Sequence, residues 1–454
     1  MAMDLQMADP GRPNPDGYLF GRGPAWFALI MTVALMMVDY IDRQVIVSLF
    51  PHLKQAWGLS DKQLGSLVSA VSITVAVGAM PIALWADRHS RVKSIFLMAM
   101  LWSLACISCM FTRSYGQLLA ARAVVGAGEA GYGSVGSALI ASHFPARMRG
   151  TLMAVFFSVG SLGSVLGVML GGVIASHWGW QAAFGVVGVP GLALSLLYIF
   201  VRDYRTVQLT PRLDRATQTP ASMARAIAAA LARSPTMLWV SLGGSAQVIV
   251  LSTVWAWLPS YLNRAQGLAP AQAAVNAALV VLCGAAGAVL TGALVDRAGR
   301  RRQRGKLLVL ALLCLLSMAV LIPAFAAPGR ALSHHQQLAW IAAGGLLMTC
   351  STGPVVAIVI DVIHPGIRAT GSAVLAFFLN LFGLAAGPFI AGMLSDAWTL
   401  PRAMAAMPAF SVLAALCFLV AARSYEADVQ RTRDQVRAEE AAGACNTSLR
   451  KQTP

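Results

Sequence analysis

Charge is what this chain has least of. Only 11% of its 454 residues are charged, less than half the share in an ordinary soluble domain. A soluble fold of this length could not cover its surface with so few charges. A disordered chain would not carry 57% hydrophobic residues. Acids are the scarcer sign, 18 Asp and Glu against 34 Lys and Arg. The seven histidines show no metal-ligand spacing, and His334-His335 is a loop pair. The seven cysteines are an odd set, six of them within apolar runs, so no disulfide framework is expected. Cys106 and Cys109 form a C-x-x-C one helical turn apart and read as two small apolar residues. There is no H-E-x-x-H, no nucleophile elbow and no Walker loop. An enzyme and an ATP-driven pump are thereby excluded for this chain alone, and no cofactor or metal is implied. The short alternating strands of a membrane barrel are also missing. No cleavable signal peptide is evident, because the first 24 residues carry Asp, Pro and Gly before an apolar run too long for one.

Long apolar runs are what the chain has in place of charge, and its mean hydropathy is +0.68. A bilayer-spanning helix needs roughly 20 apolar residues. Twelve such runs occur, near 25–50, 63–86, 92–112, 117–141, 150–175, 180–201, 236–262, 271–295, 306–327, 338–361, 369–394 and 402–422. The expected fold is an all-α polytopic membrane protein with twelve spans in two six-helix bundles. The expected division is a tail at 1–24, a bundle at 25–201, a central loop at 202–235, a second bundle at 236–423 and a tail at 424–454. Of the 34 Lys and Arg, 26 fall on the side of the tails and the 2–3, 4–5, 6–7, 8–9 and 10–11 loops, 6 fall on the other side, and Arg43 and Arg122 lie inside spans. This bias puts both tails in the cytoplasm. It also explains the net charge of +16 through anionic lipid headgroups, without a nucleic-acid partner. Arginines outnumber lysines 29 to 5, which inclines the assignment to a bacterial inner membrane. The chain is expected to act as a monomer.

The halves repeat each other. Gly292-Ala-Leu-Val-Asp296-Arg297-Ala-Gly299-Arg300 matches Ala83-Leu-Trp-Ala-Asp87-Arg88-His-Ser90-Arg91, 209 residues earlier. Pro145-Ala-Arg147-Met-Arg149-Gly150 has a weaker echo in Pro365-Gly-Ile-Arg368-Ala-Thr-Gly371. Duplicated bundles with a binding site between them are a transporter architecture. Asp87, Arg88 and Arg91, with Asp296, Arg297 and Arg300, are therefore candidates for a cytoplasmic gate. Each acid can pair with arginines or cap a neighbouring helix. The plainer reading of these residues is a loop anchor for topology.

Five ionisable residues lie within spans: Asp39, Asp42 and Arg43 in the first, Arg122 and Glu129 in the fourth. Each costs roughly 2.5–3.5 kcal/mol at a helix centre, a cost that a non-transporting scaffold would not carry. Arg122 and Glu129 are seven residues apart and share a face. By depth along the helices, Arg122 meets Asp42, and Glu129 meets Asp39 near the midplane. Adjacent acids in a poorly solvated cavity can hold a proton. Asp42, Glu129 and Asp39 are thus the expected proton-coupling residues, with a structural salt-bridge cluster as the alternative. Arg43 and Arg122 are the expected substrate contacts, joined from the second half by the neutral Asn380 and Gln247. The seam Gly163, Gly167, Gly171 in span 5 is expected to let helices approach closely.

Asp39-Tyr40-Ile41-Asp42-Arg43, Arg122-Ala-Val-Val-Gly126-Ala-Gly128-Glu129-Ala130 and Asn380-Leu-Phe-Gly383-Leu-Ala-Ala-Gly387-Pro388, with the doubled D-R-x-G-R motif, resemble the major facilitator superfamily and within it the Spinster-like transporters. The resemblance covers about residues 25–423. It implies a secondary active, proton-coupled carrier of a small amphipathic or anionic solute, lysolipid-like in that branch, working by alternating access. Organic-anion symporters share the Y-x-D-R and G-E-A elements, so a sugar acid or aromatic acid is the alternative substrate. Asp39 stands where that branch carries asparagine. Gly167 is followed by Val168 rather than by the proline usual in drug antiporters of the superfamily.

Overall fold

The structure is a computed structural model that describes residues 18–203, 234–326, 333–363 and 368–450, apart from the side chains of Leu84, Asp87, Arg88, Ala146, 368–370 and 436–450. Every regular element among the described residues is helical. The first half runs α1 (Arg22–Trp57), α2 (Asp61–Arg88), α3 (Arg91–Cys109), α4 (Tyr115–Glu129), α5 (Tyr132–His143), α6 (Ala146–Trp178) and α7 (Trp180–Leu197). The second runs α8 (Pro235–Gln266), α9 (Pro270–Arg301), α10 (Gly305–Ala326), α11 (His334–Met348), α12 (Thr352–Asp361), α13 (Arg368–Phe378), a π-helical turn over Leu379–Leu384, α14 (Ala386–Ala397), α15 (Leu400–Ala406) and α16 (Phe410–Arg450). Eleven helical segments among the described residues are long and apolar enough to cross a bilayer. The twelfth expected span is the fourth. It is divided between α4 and α5, of 15 and 12 residues, each too short to cross alone.

That division is a turn. Ala130 has φ −62° and ψ 122°, and Gly131 has φ 84° and ψ −7°. These are the central angles of a type II turn, whose third position needs a residue without a Cβ. The helix therefore stops at Glu129. In the second half, span 10 is interrupted at the corresponding place, between Met348 and Thr352. The duplication also shows at the helix ends. Gly58 and Gly267 close α1 and α8 in the left-handed conformation, and they lie the same 209 residues apart as Asp87 and Asp296.

Within the first half the glycine seam acts as expected. A Cβ on Gly163, Gly167 or Gly171 would stand 2.7, 2.5 or 2.7 Å from the carbonyl oxygens of Met37, Ile41 and Val45. The backbones of α6 and α1 touch, and only glycine permits it. The halves meet through α2 against α14 and α6 against α9. Among the described residues, the Ser69 hydroxyl donates to Ala385 O at 2.6 Å two turns into α2, and the other hydrogen bonds and ion pairs that join the halves gather at the end away from the tails. There Asp61 takes Arg264 Nη1 at 2.7 Å and Lys54 Nζ at 2.6 Å, and the Ser395 hydroxyl donates to it at 2.5 Å. Asp396 accepts the Asp61 and Lys62 amides at 2.8 Å each, which caps α2 from the opposite half. This end is closed.

Candidate functional site

A cavity of about 620 Å³ lies between the halves. Its first-half wall carries Tyr40, Arg43, Gln44 and Arg122; Val248, Leu251, Trp255 and Asn380 face them from the second half. Both charged lining residues, Arg43 and Arg122, stand on the first-half wall among apolar side chains, and the second-half wall is uncharged.

The five intramembrane charges meet at this first-half wall. Arg122 Nη1 lies 3.1 Å from Asp42 Oδ2, both side chains 1% exposed. Arg43 Nε lies 3.0 Å from Glu129 Oε2 and 3.3 Å from Asp39 Oδ2. These two contacts are charge proximity rather than aligned hydrogen bonds, because the Nε proton points squarely at neither oxygen. Arg43 is 23% exposed where Glu129 is 0%, so the guanidinium forms the cavity face and the acids lie behind it. The Tyr40 ring sits 5.7 Å from the Arg43 guanidinium carbon, a cation–π distance. Asp39 Oδ1 and both Glu129 oxygens are buried without a hydrogen-bond donor. Three acids face two arginines, leaving one negative charge uncompensated. One proton makes the cluster neutral.

The structure places Arg122 with Asp42, and Glu129 beside Asp39 on Arg43, as depth along the helices predicts. Asp42 has a further partner. The Cys106 thiol, which its spacing presents as a small apolar group, donates to Asp42 Oδ1 at 2.9 Å. Nothing in a C-x-x-C spacing signals that contact; it follows from how α3 packs against α4 and α7, which brings Cys106 within reach of α1. Asn380 reaches the cavity from the π-helical turn, its amide donating to Ala376 O at 2.8 Å. π-helical turns recur at functional sites. Gln247 does not reach the cavity. It is fully buried, donates to Met348 O at 3.1 Å and accepts from Ser411 Oγ at 2.9 Å, so both ends of its amide join helices. Of the gate candidates, Asp296, Arg297 and Arg300 are exposed at the tail end, and Arg91 donates to Ser142 Oγ at 3.2 Å. The Asp87 and Arg88 side chains lie outside the described residues.

The model of the Major Facilitator Superfamily matches residues 32–381. An MFS-type efflux pump of Mycolicibacterium smegmatis is 27% identical over 90% of this chain and 95% of its own length. A gallate transporter of Pseudomonas putida is 27% identical over 86% of this chain and 91% of its own. Among solved structures, a bacterial homolog of the human lysosomal transporter Spinster, in an inward-facing and unoccupied conformation, superposes with a TM-score of 0.78 at 22% identity. It covers 90% of this chain and 99% of that one.

Proposed function

The chain belongs to the Major Facilitator Superfamily and is a multi-pass transporter, not an enzyme; from that premise we propose that it moves a small organic anion with an apolar or aromatic body across a bacterial inner membrane together with a proton. The observation that carries this reading is the charge asymmetry of the cavity: Arg43 is the cation exposed to it, Arg122 lies buried beside Asp42 on the same wall, and the second-half wall with Trp255, Leu251 and Val248 carries no charge. An anionic group satisfies the guanidinium face. The apolar body lies on the second half, which supplies few charges to solvate it. The likeness to a gallate transporter favours an aromatic carboxylate. A lysolipid-like amphiphile would use the same two walls, with its headgroup at the arginines.

Coupling follows from the charge count of the cluster. Without a proton the buried group carries one net negative charge beside the site that must attract an anion. A proton on the Asp39–Glu129 pair removes that charge, and Asp42 keeps Arg122 in place in either state. The closed end sits on the side that the arginine bias assigns to the exterior, so the tail end is the side from which the site loads or empties here. Alternating access exchanges this closure for one at the tail end, where the doubled Asp-Arg motifs, with Asp296 exposed, form the opposing gate.

Proteoliposomes holding the purified protein test this. An acid-outside gradient should drive uptake of a hydroxybenzoate, and Arg43→Ala should abolish saturable binding with the fold intact. Uptake of a lysophospholipid alone would move the substrate to the amphiphile class. Gradient-insensitive uptake of both would remove the proton from the mechanism.

A further inference from the structure

Asp42 and Arg122 form a buried pair that depends on a third group. Arg122 Nη1 occupies Asp42 Oδ2. The other oxygen, Oδ1, is held only by the Cys106 thiol at 2.9 Å among the described contacts. That thiol has one proton and two acceptors in reach, Asp42 Oδ1 and, further away at 3.4 Å, Phe184 O. The nearer acceptor is also the charged one and takes the bond. Cys106 is 1% exposed and Asp42 1%, so no water is at hand to replace it. Leaving that oxygen unbonded in such a place costs free energy, part of which a turn of the carboxylate can recover.

We infer that Cys106 is a positioning residue for transport: its thiol fixes the Asp42 carboxylate, and through it the Arg122 guanidinium, on the anion-binding wall. The thiol touches neither ligand nor the Asp39–Glu129 pair. It acts through one hydrogen bond on α1 and one ion pair to α4, and so ties α1, α3 and α4 at the depth of the cavity. The sulfur supplies reach as well as a donor, because its bond to Cβ is longer than a hydroxyl's. The significance for the substrate rests on the anion reading above; the contact itself does not.

The experiment has two arms, chosen so that failure of the anion reading and failure of this one are told apart. The first arm needs no substrate. In the infrared difference between wild type and Cys106→Ser, the lost S–H stretch should lie at lower frequency than those of the other buried thiols. Asp42→Asn should move it up. Phenylglyoxal should modify Arg122 slowly in wild type and in Cys106→Ser, which keeps a donor, and several-fold faster in Cys106→Ala, read by peptide mass spectrometry on folded protein. An S–H band unmoved by Asp42→Asn, or equal labelling of Arg122 in all three proteins, overturns the positioning role. The second arm measures hydroxybenzoate uptake. Cys106→Ala should raise KM about tenfold, the scale of one lost hydrogen bond to a charge, with kcat within about twofold. Serine should restore most of the affinity. An unchanged KM in Cys106→Ala, with wild-type uptake intact, also overturns it. If wild type takes up no anion, the anion reading fails and the first arm decides the positioning role alone.

Discussion

Replacing Glu129 by glutamine keeps the shape of the side chain and removes its charge, which imitates the proton-loaded site permanently. The cluster changes from three acids against two arginines to two against two. Glu129 Oε2 lies 3.0 Å from Arg43 Nε. A ligand carboxylate on the far side of the same guanidinium sits roughly 8 Å from it, and at an effective dielectric of about 20 the repulsion is about 2 kcal/mol. Removing it should raise anion affinity about thirtyfold at alkaline pH, where the wild-type pair has released its proton. At acid pH the two proteins should bind alike. Accumulation should behave in the opposite way. One proton carried with one monovalent anion is electroneutral, and each pH unit of gradient then supports about tenfold accumulation, 1.36 kcal/mol. Glu129→Gln should exchange and equilibrate the anion but concentrate it no more than about onefold. Ligand titration on purified protein, beside gradient-driven uptake in proteoliposomes, checks both numbers. Tenfold accumulation by Glu129→Gln would remove Glu129 as the coupling group. Weaker binding by the variant would refute the charge-balance reasoning itself.

Arg43→Ala takes away the guanidinium that is 23% exposed to the cavity and should lower anion affinity by at least about a hundredfold; titration of the purified variant checks it. Asp61→Asn should loosen the closed end, where Arg264, Lys54 and Ser395 all converge on that carboxylate. The distance between spin labels on the 1–2 and 7–8 loops should lengthen in a larger fraction of molecules, and an unchanged distribution would show that the pairing does not hold the end shut. Asp296→Asn should act in the opposite sense and favour molecules open at the tail end, read as slower cross-linking between the 2–3 and 10–11 loops. Cys445, in the tail assigned to the cytoplasm, should react with an impermeant maleimide only after cells are opened; labelling of intact cells would invert the topology.

Much of this protein could be read from its sequence because the bilayer leaves few solutions. Apolar runs of span length must become helices, since no water is present to satisfy the backbone otherwise. Thus the span count, the division into halves and the arginine asymmetry needed no coordinates. The same constraint exposed the site. Asp39, Asp42, Arg43, Arg122 and Glu129 are conspicuous because charge is costly in lipid, and depth along the two helices pairs Arg122 with Asp42. Neutral groups carry no such signal. Gln247 and Asn380 looked alike as polar residues in apolar spans, yet one joins three helices and the other lines the cavity. The difference is which way each helix faces, and a chain apolar on all sides does not encode that in its pattern. Cys106 reads as apolar in the sequence because nothing in the sequence shows which acceptor its thiol will meet. The glycine-rich sequence of span 4 does not announce a turn; only the backbone angles reveal that Gly131 ends the helix at Glu129. The convergence of Arg264, Ser395 and Asp396 on Asp61 and its helix end joins residues about 200 and 335 positions apart. Sequence determined what had to be buried in the membrane. Tertiary packing decided which buried groups face one another, because contacts across helices depend on rotation and depth that local composition leaves free.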